Sequence, residues 1–218
     1  MSFHQQTTEF RTQYRKEKIG VAYSGKNHFY FTTISCLLVI ALSAYMLNDV
    51  QAIEWLVIPA TFFYANFVEY VGHKGPMHHK RKWLKKVFHR HTMEHHRFFT
   101  EKQMSCESAQ DFKMILFPPV LLFFFFFGFA LPATLLMYWL WTANAAWLLL
   151  GTLIGYYLNY EWLHLSYHLP EEHWVSQLPI IRKLRNYHHR HHDPGLMQKY
   201  NFNISYPFFD WIFRTLKK

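Results

Sequence analysis

The sequence has little cysteine, with only Cys36 and Cys106 among its 218 residues. Two cysteines exclude an iron–sulfur cluster held by four thiolates, and the chain shows no flavin or dinucleotide fingerprint. Cys36 lies in an apolar stretch and Cys106 in a basic one, so we expect no structural disulfide between them.

Basic residues are absent from two long parts of the chain. Of the 23 Lys and Arg, five lie in residues 1–28, ten in 74–113 and eight in 182–218, and none lies in 29–73 or 114–181. Half of the residues are apolar although the formal charge is +9, so apolar and basic residues occupy separate blocks. No repeat or low-complexity linker separates these blocks, which predicts a single domain over residues 1–218.

The uncharged blocks are long enough to cross a bilayer. Phe29–Leu47 has 19 residues without charge, Trp55–Val68 forms a second block, and Met114–Tyr160 has 47 residues without charge. The last block is long enough for two crossings of a hydrocarbon core about 30 Å thick, with a hairpin between Leu131 and Asn144. The pattern predicts an all-α fold with four transmembrane helices. A soluble helical core is the alternative, but its helices rarely run this far without a charged face.

The distribution of basic residues predicts the orientation in the membrane. With four crossings, residues 1–28, 73–112 and 169–218 share one side, and these contain every Lys and Arg except Lys113, which directly follows the second range. The positive-inside rule places that side in the cytoplasm, with both termini and a helical cap. We expect no cleavable signal peptide, because 28 mostly polar residues precede the first apolar block.

Ten of the sixteen histidines form four clusters on this predicted cytoplasmic side. Their spacings of three and four residues place several pairs on one helical face, while Gly75 and Pro76 predict a helix break inside the first cluster. The clusters are His73 and His78; His91, His95 and His96; His164 and His168; and His188, His191 and His192.

A histidine-rich surface has three interpretations: a cationic face on lipid headgroups, a pH-sensitive patch, or a metal site. The convergence of four clusters favours metal. Ten imidazoles exceed the four to six ligands of one ion, so we expect two ions with about five ligands each. The remaining histidines are predicted not to bind metal, with His89 and His189 the nearest alternatives; they are His4, His28, His79, His89, His173 and His189.

Imidazole ligands alone do not select the metal, since iron, zinc, copper and nickel all accept them. Zinc has no redox chemistry whereas two irons activate oxygen, so we expect iron in function and allow zinc in purified samples. Three carboxylates near the clusters are predicted to accept hydrogen bonds from ligand rings, or else to be solvated surface groups. They are Glu94, Glu161 and Asp193.

The four motifs HX4H, HX3HH, HX3H and HX2HH, in this order around apolar blocks, resemble the fatty acid hydroxylase and sterol desaturase superfamily. The similarity runs from about Phe67 to Thr215, and it includes Gly155-Tyr156-Tyr157 before His164 and the tail from Asn201. The chain departs from the family pattern in two ways. Its second motif has three residues, rather than two, before the histidine pair. In addition, Glu161 stands where the family commonly has Asp, and Asn203 and Arg214 stand where it usually has Gly.

The resemblance implies an integral-membrane di-iron oxygenase whose ten histidines hold two irons. Such an enzyme hydroxylates or desaturates a lipid acyl chain with O2. Its electrons would come from a separate cytochrome b5- or ferredoxin-like protein, since nothing in these residues resembles a cytochrome b5 domain, a flavin fingerprint or an iron–sulfur cysteine set. An acidic donor would suit the basic face. No nucleic-acid partner is expected. The run Phe123–Phe127 would line the lipid's route or simply contact lipid tails.

Two other functions remain open from the sequence. A sterol or isoprenoid C–H oxidase shares every motif, but the short chain favours an acyl substrate over a bulky ring system. A non-enzymatic metal-binding protein or transporter is the alternative of another class. Transport is disfavoured because the first and third apolar blocks have no ionisable residue.

Overall fold

The computed structural model describes residues 3–217, and within them nearly all regular structure is helical. The only strand-like pairing in that range is an isolated bridge between Thr100 and Gln103. The all-α prediction is therefore confirmed. The helices are α1 Phe3–Tyr14, α2 Gly25–Tyr45, α3 Val57–Gly72, α4 Lys85–Phe88, α5 His96–Phe98, α6 Phe112–Ile115, α7 Pro119–Phe125, α8 Leu131–Leu140, α9 Ala143–Tyr167, α10 Pro179–His191 and α11 Phe208–Ile212.

Shorter turns extend or precede several of these helices. In π-helical turns the backbone bonds from residue i to i+5, so one more residue fits in each turn than in an α-helix. The π-helical turns are Arg15–Ile19, His73–Met77, His89–His95 and Phe126–Ala130, and the 3₁₀ turns are Glu54–Leu56, Ala109–Asp111 and Trp174–Gln177.

Within residues 3–217, two helical segments are long and apolar enough to cross a membrane, namely Gly25–Tyr45 and Ala109–Leu140. The long apolar block divides after Leu140, where α8 ends, and α9 begins at Ala143, within the predicted hairpin interval. Helix α3 has only 16 residues, fewer than the roughly 20 of a typical crossing. The count of four crossings thus stays a prediction.

The chain divides into two compact units. The histidine unit comprises Met1–Lys26, Asn66–Leu116 and Trp162–Lys218, and the apolar unit comprises Asn27–Ala65 and Phe117–Glu161. Every predicted metal ligand lies in the histidine unit, which leaves the apolar unit to the hydrophobic segments.

The apolar unit is held by close helix packing and one buried carboxylate. A Cβ added to Gly151 of α9 would lie 3.2 Å from the Cβ of Ser43 in α2, so glycine permits this close approach. Glu54 accepts hydrogen bonds from the hydroxyl of Thr142 and the side-chain amide of Asn144, which ties the start of α3 to the start of α9. One buried cluster of the apolar unit consists of Cys36, Leu122, Ala130, Leu150, Ile154 and Leu158.

The tail of the histidine unit folds around Asp210, whose carboxylate accepts from the backbone N–H groups of Phe202 (2.9 Å) and Asn203 (2.7 Å). The two tail positions where the family usually has glycine differ in their backbone. Arg214 adopts φ of 57°, a left-handed conformation that glycine adopts without strain. Asn203 instead uses its side chain, whose Oδ1 accepts from the N–H of Asp210 at 3.2 Å and caps the start of α11.

Candidate metal centre

Nine of the predicted ligands form two groups of buried rings whose facing nitrogens lie within 4.8 Å of one another. The two groups adjoin, since the rings of His96 and His192 stack with their centroids 4.2 Å apart. Group 1 contains His73, His78, His91, His96 and His191, and group 2 contains His95, His168, His188 and His192.

The tenth predicted residue, His164, lies beside group 2. Its ring centroid is 4.9 Å from that of His95, 4.9 Å from that of His188 and 5.1 Å from that of His168. It comes from α9 one turn before His168, so the i, i+4 pair predicted from the sequence does face one site. With His164 included, each group has five imidazoles.

Group 1 is built on π-helical turns. His73 and His78 are five residues apart, as are His91 and His96, and the Nε2 atoms of each pair lie 3.1 Å apart. A π turn brings residues i and i+5 to one face. The predicted helix break at Gly75-Pro76 is wrong, because the wider turn continues through Met77 and accommodates a proline that has no N–H to donate.

The two triple motifs divide their histidines in opposite ways. In the second motif, the outer histidines His91 and His96 join group 1, and His95 joins group 2. On α10 the outer residues His188 and His192 join group 2, and His191 joins group 1. The extra residue of the second motif is absorbed by its π turn, so HX3HH presents its rings much as HX2HH does on a regular helix.

Backbone carbonyls fix the tautomer of five of the ten rings. A carbonyl oxygen only accepts hydrogen bonds, so the ring nitrogen facing it carries the hydrogen and the other nitrogen has a bare lone pair. In five rings Nδ1 donates in this way and Nε2 faces the group. The pairs are His73 with Phe202, His95 with Met114 (2.9 Å), His168 with Met104 (2.8 Å), His191 with Tyr200 (2.9 Å) and His192 with Phe99 (2.6 Å).

The arrangement of bare nitrogens fits metal ions. The Nε2 of His78 lies 3.1 Å from that of His73 and 2.8 Å from that of His191, and both of those partners point lone pairs at it. The buried Nε2 of His95 has no hydrogen-bond partner. Converging lone pairs repel unless a cation lies among them. Two nitrogens bound at right angles, each about 2.0–2.1 Å from one metal, would lie about 2.9 Å apart, close to these spacings.

Burial keeps the rings neutral. Loss of hydration lowers the pKa of His95 well below its usual range and lowers that of His191 to about 4, with nearby imidazoles adding to the effect at His95. A neutral imidazole is the form that binds metal, so the rings are in their ligating form at physiological pH.

The three predicted carboxylates have other partners. Glu94 accepts from the hydroxyl of Tyr14 (2.9 Å), Glu161 from the N–H of Phe117 (3.1 Å) and Asp193 from the N–H of Gly195 (2.7 Å). The structure corrects the predicted ring partners from carboxylates to carbonyls. Sequence reasoning missed the carbonyls because any residue type supplies one, so they leave no pattern in the sequence.

The six other histidines lie apart from both groups. His28 belongs to the apolar unit, where its ring contacts the carbonyl of Phe117 at 3.0 Å. His89 and His189, the nearest alternatives as ligands, are exposed; the first lies 3.4 Å from Glu94 and the second contacts the carbonyl of Glu101. His4 and His79 are also exposed, and His173 caps the turn at Trp174.

The helical fold and the two adjoining groups of buried, neutral imidazoles define the class of this protein. It is a helical protein with a candidate histidine-only site for two metal ions. The family described as fatty acid hydroxylase matches residues 58–215, and the chain belongs to that family. The fold also resembles a solved structure described as full-length scs7p, with only the hydroxylase domain visible. The TM-score is 0.57 at 20% identity, over 87% of this chain and 67% of that chain. The comparison with curated proteins found no match.

Proposed function

We propose that the chain is a membrane-embedded di-iron hydroxylase that inserts oxygen into a C–H bond of a lipid acyl chain. The observation that carries the proposal is the pair of adjoining groups of buried, neutral imidazoles with converging Nε2 lone pairs. Membership of the fatty acid hydroxylase family supports hydroxylation over desaturation and a lipid over other substrates. In the reaction, one oxygen atom of O2 enters the C–H bond and the other leaves as water, with two electrons and two protons consumed.

The ten imidazoles would hold two irons, five from group 1 and five from group 2 with His164. Bound iron would supply the one-electron and oxygen chemistry that side chains lack. Zinc would also bind, because histidine ligands discriminate poorly between these ions, and a purified sample would contain whichever ion was available.

The residues of the chain would orient the ligand rings and exclude water. Each carbonyl that accepts from an Nδ1–H holds its ring in one tautomer and one orientation, which preorganises the site before metal binds. Phe99 and Phe202 are fully buried, and their rings lie against histidine rings, with centroids 4.2 Å apart for Phe99 and His168 and 5.9 Å apart for Phe202 and His191. These aromatic rings cover the ligand rings with apolar surface.

We further propose four membrane crossings with both termini and the metal site on the cytoplasmic side. Large apolar side chains on the apolar unit are exposed, as at Phe123, Phe127 and Phe129, which suits contact with lipid. The small size of the chain favours a linear acyl substrate. A separate acidic protein would deliver electrons to the basic cytoplasmic face.

The proposal is tested by labelling lipids with ¹⁸O2 in cells that express the chain together with an electron donor. Lipid mass spectrometry should detect labelled oxygen in an acyl chain for the wild type. It should detect none for the His191→Ala/His192→Ala variant, which removes one ligand from each group. The control, His79→Ala, changes an exposed histidine that belongs to neither group and should keep the activity. Absence of label from every lipid in the wild type would reject the hydroxylase assignment.

A further inference from the structure

The N-terminal helix α1 lies outside residues 58–215, the region that the family match covers. It nevertheless contributes a deeply buried cation to the histidine unit, since Arg11 is only 2% exposed. A buried arginine requires partners for its donors, and those partners indicate what the helix does.

Arg11 binds three backbone carbonyls of one segment. Its Nε donates to the carbonyl of Phe98 at 2.6 Å, one Nη donates to that of Gln103, and the other Nη donates to that of Ser105 at 3.2 Å. The second Nη also pairs with Glu107 at 3.0 Å. The planar guanidinium therefore fixes the segment 98–107 at several points, as a single lysine ammonium could not.

The residues that follow two of these carbonyls support group 2. Phe99 follows Phe98, and its carbonyl accepts from the Nδ1 of His192 at 2.6 Å. Met104 follows Gln103, and its carbonyl accepts from the Nδ1 of His168 at 2.8 Å. Each of these two supporting carbonyls is thus one peptide away from a carbonyl held by Arg11.

The π turn Arg15–Ile19, which directly follows α1, reaches the third support of group 2. Arg15 donates to both carboxylate oxygens of the buried Asp111, at 2.8 and 2.9 Å, and so fixes the start of α6. The carbonyl of Met114, at the end of α6, accepts from the Nδ1 of His95. The carbonyls of Phe99, Met104 and Met114 therefore all belong to the stretch 99–114, which α1 and the π turn after it hold at several points.

Group 1 has a separate support. The carbonyls of Tyr200 and Phe202 accept from the rings of His191 and His73. That tail segment is held by Asp210, which accepts from the N–H of Phe202 at 2.9 Å.

We propose that Arg11 is a positioning residue for group 2, and that helix α1 thereby controls metal occupancy of group 2 but not of group 1. The inference rests on the proposed function, because it takes the two groups to be metal sites. Loss of Arg11 leaves three carbonyls of segment 98–107 without their donor, so the segment relaxes and the rings of His168 and His192 lose their orientation. Loss of such supports typically weakens metal affinity about 10–100-fold.

The test measures metal bound per full-length chain after a fixed exposure to a chelator, by elemental analysis of detergent-purified protein. The wild type should retain two ions and Arg11→Ala one. Arg11→Lys keeps the charge beside Glu107 but lacks the forked donors, so it should fold and still lose the same ion. Arg182→Ala, a change at an exposed arginine bonded to Gln177, should retain two ions.

Double variants identify which ion is lost. Adding His95→Ala, in group 2, to Arg11→Lys should cost no further metal, whereas adding His73→Ala, in group 1, should remove the remaining ion. Asp210→Asn should show the opposite pattern, with His95→Ala removing its last ion. Gel filtration and circular dichroism confirm that each variant is folded.

The outcomes separate the inference from the function on which it rests. A wild type without metal would reject the metal-site assignment itself. A wild type with two ions and a folded Arg11→Lys variant that also keeps two, or that loses both, would overturn the role of Arg11. Electron paramagnetic resonance of the iron-loaded protein gives a second readout, since loss of one ion should replace the signal of a coupled pair with that of a single iron.

Discussion

Neighbouring residues in this site belong to different groups. His191 and His192 are adjacent in the chain, yet the Nε2 of His191 lies 2.8 Å from that of His78 in group 1 and the Nε2 of His192 lies 3.1 Å from that of His188 in group 2. Successive residues of a helix point about 100° apart, so the end of α10 reaches both groups at once.

The metal content of a double variant should therefore depend on which groups its two histidines belong to, and not on how close they are in the sequence. His191→Ala with His73→Ala removes two ligands from group 1 only, and we expect about one ion per chain to remain. His191→Ala with His192→Ala removes a ligand from each group, and we expect both ions to be lost. Elemental analysis of purified protein distinguishes the two results. Equal metal content in both double variants would contradict the division into groups.

The backbone of Arg214 also gives a prediction about stability. A non-glycine residue at φ of 57° is strained by about 1 kcal/mol, and glycine removes that strain at a smaller cost in unfolded-chain entropy. Arg214→Gly should raise the midpoint of thermal unfolding by about 1–3 °C. Arg182→Gly, in the regular helix α10, should lower it, because glycine disfavours helix. A lower midpoint for Arg214→Gly would show that its side chain outweighs the strain.

At the scale of elements, the π-helical turn His89–His95 explains how a motif with one additional residue still assembles. The additional residue widens the turn instead of rotating the following rings out of register. Met93 lies within this turn and is 42% exposed, so its side chain contributes little packing.

Deleting Met93 should convert the π turn to a regular α-helical turn and the motif to HX2HH. His91 and the following pair would keep their directions, so we expect about two ions per chain. Inserting one alanine after Met93 lengthens a turn that is already wide, and this variant should lose metal. Metal analysis of both proteins, with circular dichroism as a check on folding, decides the point. A deletion that loses as much metal as the insertion would disprove this explanation.

The elements also show what the sequence could predict. Helical spacing predicted that the ten histidines converge, because i, i+4 periodicity and basic flanks are visible in the residues. The π turn at His73–Met77 was not predictable, since Gly75-Pro76 ordinarily ends a helix. The carbonyls of Met104 and Met114 were equally hidden, and so was Arg11, whose role depends on a fold that places residues 87 to 94 positions away against it.

At the scale of the whole molecule, the histidines and the apolar segments occupy different compact units. This separation agrees with the block pattern of charge, in which Lys and Arg avoid the apolar stretches. The all-helical fold and the candidate membrane segments agree with the prediction, whereas the number of crossings rests on the lengths of the apolar blocks and their orientation rests on the distribution of Lys and Arg.

Cysteine labelling tests that orientation. Lys86→Cys and Lys199→Cys place thiols at exposed positions of the histidine unit, and Asn48→Cys places one at the turn after α2. An impermeant maleimide should label Asn48→Cys in intact cells and the other two only after permeabilisation. The native Cys36 and Cys106 are 1% and 7% exposed, so background labelling should be low. Labelling of Lys86→Cys and Lys199→Cys from opposite sides would rule out the four-crossing arrangement.

The carbonyl supports of the rings have a consequence for how this protein can be dissected. An alanine scan leaves every main-chain oxygen in place, so it would report only the side-chain packing of Met104 and Met114 and miss the bonds to His168 and His95. Because any residue type supplies a carbonyl, the residue types at positions 104 and 114 can differ between homologues without loss of the bond. Replacing the following amide with an ester weakens the carbonyl as an acceptor while the side chain stays unchanged. Backbone chemistry, rather than side-chain mutagenesis, would therefore reveal this half of the site.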